Sequence, residues 1–561
     1  MKPGLIALSL LLVACGDASS PPDTIDTLDT ADTRELDGAD GSDGADTAAN
    51  DDTASDARDV DVQADTGPAG PPTAAELGFT EVRLIAHLHS AYSHDACDNQ
   101  GLDADGNPNA TCVQRMKRAL CTERIGLAFM TDHPSFMREQ PFGDLLYADL
   151  VAAPPGDDRL LLGEDGVTPW GVRFACDVGE GGPDGRVTLL VGFEGTHTMP
   201  LGIRRHLDPI SLTSVSFTED TDPADLRALT TEVRSAGGHV AIAHSEESDI
   251  SAQRLIDHDV AAMELYNFHA NFKEVLGTGL ATALIRLEDF LDPVASLPDP
   301  NLTALVMLDI FPVEALRKWR EVAAHRPITA FAGSDVHENV SFEPACKDTD
   351  ACDGLAETYP NLVDYLKIGG PIWQADGQRL DGYSRIFRWV QNRVLVAPGV
   401  DPNVPQNVEN AFFAGAAYSV FEVLGEPRGV SLVALGANDS RFDLGASAPL
   451  TAGMTLWARS PDLPQPTRFA RWTDGTLAKI ESVLWRLDPT GPVEVLRWSE
   501  PGTWKSLPIT TPGVYHLEVW LTPLHLASEL GPAAPLAETA YRWVETNAIR
   551  FIGLMPFSGA R

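Results

Sequence analysis

The sequence predicts an α/β protein whose larger part is a (β/α) barrel and whose C-terminal part is a β-sandwich. Short apolar strands end again and again in His, Asp or Glu, and helix-patterned segments separate several of them. After about residue 426 the helical period gives way to short strands divided by Pro/Gly turns. Strands alternating with helices give a parallel sheet covered by helices. Polar residues at C-terminal strand ends are where a (β/α) barrel builds its active site.

Residues 82–86 run into His87-Leu88-His89-Ser90, and residues 127–130 into Thr131-Asp132-His133. Residues 187–191 lead to Gly192-Phe193-Glu194 and His197, residues 239–243 to His244, and residues 261–265 to Tyr266-Asn267. The last of this set, residues 328–332, leads to Gly333-Ser334-Asp335-Val336-His337. Each is a run of about five apolar or β-branched residues, the length and composition of a buried strand. Residues 222–236 and 312–325 carry the helical pattern, the second with Pro312 near its start. Beyond residue 426, residues 430–435, 454–458, 483–487, 493–498, 514–520 and 548–552 read as strands of a β-sandwich. Aromatic residues in such strands usually form the core, and an accessory carbohydrate platform is their functional alternative.

The chain has 561 residues, 41 Lys+Arg and 81 Asp+Glu, a formal charge of −40. That balance argues against nucleic acid, whose backbone is bound through Lys and Arg. At 43% hydrophobic the chain has material for packed cores. No run of eighteen apolar residues exists to span a membrane. Residues 1–15 read as an export signal, a charged start and a short apolar stretch ending in Leu12-Val13-Ala14-Cys15. This end resembles the bacterial lipobox, which implies lipidation of Cys15 and a cell-envelope location anchored by lipid alone. Gly16 after the cysteine favours the outer membrane. Residues 16–78 form an acidic linker; its first part, 16–72, holds sixteen acidic residues, two Arg and no aromatic residue. Such a segment cannot bury enough apolar surface to offset its chain entropy. Six further cysteines, Cys97, Cys112, Cys121, Cys176, Cys346 and Cys352, suggest up to three disulfides in an exported protein. Cys346–Cys352 is the easiest pair to propose; the other four pair in no decidable order.

Twelve of the fourteen His lie between His87 and His337, and neutral imidazole is the commonest metal ligand. Taken in order, His87-x-His89, Thr131-Asp132-His133, Gly-x-Glu194, Ala-His244 and Gly-Ser-Asp335-x-His337 resemble the polymerase and histidinol phosphatase (PHP) family over residues 79–425. The segment 411–421 resembles the stretch that closes such domains. The resemblance implies a distorted (β/α)7 TIM-like barrel with two or three divalent ions, Zn, Mn or Fe, at its mouth. By motif, His87, His89, Glu194 and Asp335 would hold one ion. Glu194 would bridge to a second, completed by His197 and His244, and Asp95, His133 and His337 would hold a third. His94 competes with Asp95, and His206 with His197.

Imidazole and carboxylate suit these metals, and clustered ions activate water and clamp a phosphoryl group. Glu194 and Asp335 are the candidate bridging or base carboxylates beside a metal-bound water. A lone His on an apolar strand usually sits in a core; the joint pattern is what argues for a site. His239, His258 and His325 read as structural or surface residues, and His269 has no assigned role. Asp132 reads as an orienting carboxylate rather than a ligand. Arg138, Arg204, Arg205 and Lys273 could neutralise a phosphate but fit surface positions better. The expectation is an exported metal-dependent hydrolase of a small phosphorylated substrate. Two alternatives are an amidohydrolase-type enzyme on a non-phosphate substrate and a non-catalytic surface-binding lipoprotein.

Overall fold

The computed structural model describes residues 70–134, 140–146, 160–163, 165–176, 181–271, 287–308, 312–342, 344, 355–437 and 440–553. Cys15, the acidic segment up to residue 69, Arg138, Lys273, Cys346 and Cys352 lie outside them. No helix among the described residues is long and apolar enough to cross a membrane.

The first strands are β1 (Thr80–Ile85), β2 (Ile125–Met130), β3 (Leu160–Leu162), β4 (Pro169–Ala175) and β5 (Arg186–Val191). They are followed by β6 (Thr198–Leu201), β7 (His239–Ile242), β8 (Ala262–Asn267) and β9 (Thr329–Gly333). Two short strands, β10 (Ser341–Phe342) and β11 (Gly370–Pro371), precede β12 (Gln391–Val396) and β13 (Ala417–Val420). β1, β2 and β5 pair in parallel, with β12 antiparallel on the far side of β1. β7, β8 and β9 form a second parallel arc, with β6 antiparallel at its edge.

The two arcs do not close into one continuous ladder among the described residues, unlike the seven-stranded barrel expected. They meet through isolated bridges at the strand ends, Leu88 with Val336 and Val191 with Ile203. Elsewhere along β9 two asparagine amides take the place of a partner strand. Asn392 accepts from Ala332 N at 2.9 Å and donates to Ala332 O at 2.8 Å. Asn547 does the same for Ala330, at 2.6 and 3.0 Å. A primary amide offers the donor and acceptor of a peptide group, so these buried backbone groups stay paired without a ladder.

Period-two alternation separates the interior from the helix layer. Val82, Leu84, Leu127, Phe129, Leu201, Ala241, Phe331 and Val394 meet in one buried cluster drawn from both arcs, with Phe412 of helix Pro405–Phe413. The intervening Ile85 and Ala128 pack into the larger outer core. Helix Pro223–Ser235 starts where the Asp222 side chain accepts from Ala224 N, and buries Leu226, Leu229 and Val233 along one face. Helix Ala110–Thr122 is capped by Asn109 and stapled near both ends, by Cys97–Cys112 and Cys121–Cys176.

The remaining strands are β14 (Ser431–Leu435), β15 (Arg441–Phe442), β16 (Ser447–Pro449), β17 (Thr455–Arg459) and β18 (Lys479–Asp488). β19 (Gly491–Trp498), β20 (Trp504–Pro508), β21 (Gly513–Thr522), β22 (Tyr541–Thr546) and β23 (Ile549–Ile552) complete the set. Their strand character follows the sequence pattern, but their pairing departs from the expected separate sandwich. β14, β15, β17 and β20 make a four-stranded antiparallel sheet, whereas β22 pairs with β13 and joins β21, β23 and β18 to the sheet that holds β1. Alternation sets which residues face inward but not which strand a partner comes from.

Candidate metal centre

β1 breaks just past its end, and the loop that follows carries His87 and His89. Asp132 pins that loop: its carboxylate accepts from Ser90 N at 2.5 Å and from Ser90 Oγ at 2.7 Å. The expected orienting role of Asp132 is thus directed at the Ser90 turn. His244 and Asp335 follow the ends of β7 and β9 with φ of +50° and +48°. The left-handed region costs a non-glycine residue of order 1–3 kcal/mol, and such strain clusters at functional sites.

These turns bring together His87, His89, Glu194 and Asp335, all buried. His87 Nε2 lies 3.1 Å from Asp335 Oδ1 and 3.3 Å from Glu194 Oε2. His89 Nε2 lies 3.1 Å from each of the same oxygens, and the two Nε2 atoms are 3.2 Å apart. Five edges of a four-donor figure are therefore 3.1–3.3 Å. A tetrahedral zinc ion with bonds of roughly 2.0 Å needs donor separations of about 3.3 Å. Asp335 Oδ1 makes no hydrogen bond among the described residues despite its burial. Lone pairs converging on a point without a shared proton are what a cation requires, so the donor set fits a divalent metal.

A second group adjoins the first through His89: His89, Asp95, His133 and His337 also present ligand atoms to one another. Asp95 Oδ2 is 3.2 Å from His337 Nε2 and 3.7 Å from His133 Nε2. His337 Nε2 is buried and without a hydrogen-bond partner among the described residues. Glu194 faces two ways, with Oε2 towards His87 and His89 and Oε1 2.8 Å from His244 Nε2. His197 joins neither group: its Nε2 meets Asp249 Oδ2 at 3.2 Å. His197 sits within the tight turn in which Gly195 N donates to Thr198 O, and spacing alone does not reveal the direction its side chain takes. Its rival His206 contacts the Gln140 carbonyl at 2.9 Å. The ring of His94 sits 5.0 Å from that of His133, and the ring of His269 5.0 Å from that of His337.

Burial alone would lower the His87 imidazole, but Asp335, Glu194 and Glu264 outweigh it and hold it well above its usual range. His244 is raised in the same way, chiefly by Glu194 against its burial, and His133 is lifted to about 9. Glu194 and Asp335 move oppositely: burial pushes them up, and neighbouring imidazoles carry them well below the carboxylate range. The carboxylates therefore demand positive charge, which protons or a metal ion can supply.

Two further carboxylates stand beside these imidazoles without any sequence motif to mark them. Glu264 Oε1 lies 2.9 Å from His87 Nδ1, and its Oε2 accepts from His244 N at 2.9 Å and Asn267 Nδ2 at 3.0 Å. Glu246 Oε1 lies 3.6 Å from His244 Nδ1, on the side away from Glu194. Position 264 stands inside a strand, where no motif marks it. Arg204 and Arg205 are committed elsewhere, Arg204 to Glu409 at 3.0 Å and Arg205 to Glu232 at 2.7 Å.

No family model and no curated protein matches the chain. Among solved structures, PsfC from Pseudomonas syringae PB-5123 aligns with 12% identity and a TM-score of 0.30, covering 61% of this chain and 93% of its own. A two-domain protein from Bacteroides vulgatus ATCC 8482, described as containing a predicted PHP-like metal-dependent phosphoesterase, aligns with 12% identity and a TM-score of 0.30, over 83% of this chain and 96% of its own. Likeness at this level carries no inference about the present chain.

Proposed function

We propose that this protein is a metal-dependent hydrolase. The observation that carries the reading is the buried set His87, His89, Glu194 and Asp335, with donor separations of 3.1–3.3 Å and an adjoining group that shares His89. Divalent ions held there would supply Lewis-acid activation of water and neutralise charge developing on the substrate. Glu194 would help hold an ion in the first group through Oε2, and its Oε1 faces His244 Nε2 at 2.8 Å. Glu264 would fix the His87 ring, because a carboxylate that accepts from Nδ1–H keeps the proton on Nδ1 and leaves the Nε2 lone pair for a metal.

The phosphate-ester class rests on the family resemblance of the motifs. Two divalent ions in the two donor groups, against Asp95, Glu194 and Asp335, give +4 − 3 = +1. Asp132, Glu246 and Glu264 stand close by and bring the sum to +4 − 6 = −2. Attraction of an anion would therefore come from open ion positions, not from net charge. Export is part of the proposal, supported by the paired Cys97–Cys112 and Cys121–Cys176, which belong in an oxidising compartment; lipid anchoring through Cys15 rests on the lipobox resemblance alone.

Metal analysis combined with a substrate panel tests the reading. Purified protein should hold two or more tightly bound divalent ions and turn over a phosphomonoester or phosphodiester. His87→Ala and Asp335→Ala should lose both. Turnover of amides or lactones alone would move the chemistry to the amidohydrolase type. Fewer than two bound ions and no turnover would leave a binding protein.

A further inference from the structure

We propose that a cleft in the C-terminal part, independent of the metal centre, binds a neutral oligosaccharide. The cleft, with a volume of ≈ 880 Å³, lies between helix Val313–His325 and strands β18, β21 and β22. That is towards the upper end of the roughly 300–1,000 Å³ of small-molecule sites, and suits a ligand longer than one sugar ring.

Two partly buried indoles, Trp485 and Trp520, line it. The Arg320 guanidinium stands 4.6 Å from the Trp485 ring centre, and that of Arg542 stands 4.5 Å from the Trp520 ring centre. One buried carboxylate ties the group together. Glu518 Oε2 accepts from Trp485 Nε1 at 2.6 Å and from Arg320 Nη2 at 2.8 Å, and its Oε1 pairs with Arg542. Indoles and guanidinium groups are thereby held in place before any ligand arrives, which cuts the ordering cost of binding.

The charges are matched. Arg320, Lys479, Arg497 and Arg542 line the cleft with Glu481 and Glu518, and Glu494 and Glu545 pair with Arg497 and Arg542 from outside the lining, four cations to four carboxylates. That balance favours a neutral ligand over an anion, and charged groups this dense suit no purely apolar ligand. A sugar chain combines what the cleft offers: C–H faces that lie on indoles, and hydroxyl groups that both donate and accept among arginine and glutamate side chains. Each indole carries an arginine over one face, so a sugar ring would lie against what that arginine leaves open and bond to the charged groups around it.

Calorimetry of the full chain against cellohexaose, xylohexaose, mannohexaose and chitohexaose, with hexagalacturonate as the acidic probe, tests this. At least one neutral hexasaccharide should bind. Trp520→Ala and, independently, Trp485→Ala should weaken it about tenfold or more, with Trp520→Phe keeping most of the affinity. Melting curves identify a variant that has lost its fold, in which case the other variant decides. His87→Ala should leave sugar binding unchanged, so failure here and failure of the hydrolase reading are separable. Absence of binding by all four neutral sugars, binding of hexagalacturonate alone, or full affinity in both folded alanine variants would overturn the proposal.

Discussion

His87 Nδ1 and Glu264 Oε1 stand 2.9 Å apart, both side chains fully buried, one following the end of β1 and the other inside β8. The contact exists because position 333 is glycine: a Cβ there would fall 1.6 Å from Glu264 Oε1. Loss of such an orienting carboxylate typically costs 10–100-fold in metal affinity. Glu264→Gln should weaken metal binding by about that factor, read by competition with a chromogenic chelator, with the fold intact. Gly333→Ala should do at least as much damage, because the new methyl group drives Glu264 off the imidazole. Unchanged affinity in both variants would remove Glu264 from the centre.

The candidate ligands are legible in the sequence for a physical reason. A strand that ends in His-x-His or Gly-Ser-Asp-x-His delivers its side chains to a place that the strand itself defines, and His87, His89, Glu194 and Asp335 share that place. His197 shows the limit, since it lies within a tight turn and its Nε2 meets Asp249. Glu264 shows another: a carboxylate in mid-strand is recognisable only once its non-local neighbour His87 is known. The C-terminal strands were legible one by one, but β22 lying against β13 was not, because pairing depends on contacts distant in sequence. Asn392 and Asn547, which stand in for a strand along β9, carry no pattern at all.

Metal removal should cost stability as well as activity. Without an ion, Asp335 Oδ1 and His337 Nε2 remain buried without hydrogen bonds among the described residues, and mutual repulsion of the carboxylates is relieved only by protons. An ion present at a thousand times its dissociation constant stabilises the folded state by about 4 kcal/mol. Dialysis against a chelator should therefore lower the melting temperature by several degrees, and re-addition of a divalent ion should restore it. An identical melting curve with and without chelator would contradict a tightly held metal.

The two disulfides should differ in what they protect. Closing a loop of 15 residues, as Cys97–Cys112 does, is worth about 3 kcal/mol in the chain-entropy account. It also steadies the segment after Asp95, where Cys97 N donates to His337 O at 2.8 Å and Asp98 N to Glu338 O at 3.0 Å. Cys112→Ser should reduce both stability and occupancy of the group formed by His89, Asp95, His133 and His337. Cys121→Ser, which opens the link to Cys176, should reduce stability while leaving metal content unchanged. Equal metal loss in both would show that general loosening, not the Asp95 segment, is responsible.

Two buried groups outside the metal centre tilt stability with pH in opposite directions. Burial depresses His525, which is 5% exposed, to about 4, against weaker opposing effects from Leu424 and Asp474. The unfolded chain binds its proton near pH 6.5. The His525 contribution is thus complete above that pH and is lost as pH falls towards 4, up to about 3 kcal/mol. Burial lifts Glu409 to about 7, with Arg204 opposing. Its folded form prefers the proton, so its contribution is complete below about pH 4.5 and is lost as pH rises through 7. Urea titrations at pH 5 and pH 7.5 separate the two. His525→Phe should reduce the fall in stability on acidification, and Glu409→Gln should reduce the fall on the alkaline side. If either variant keeps the wild-type pH slope, the group it replaces is not titrating in that range.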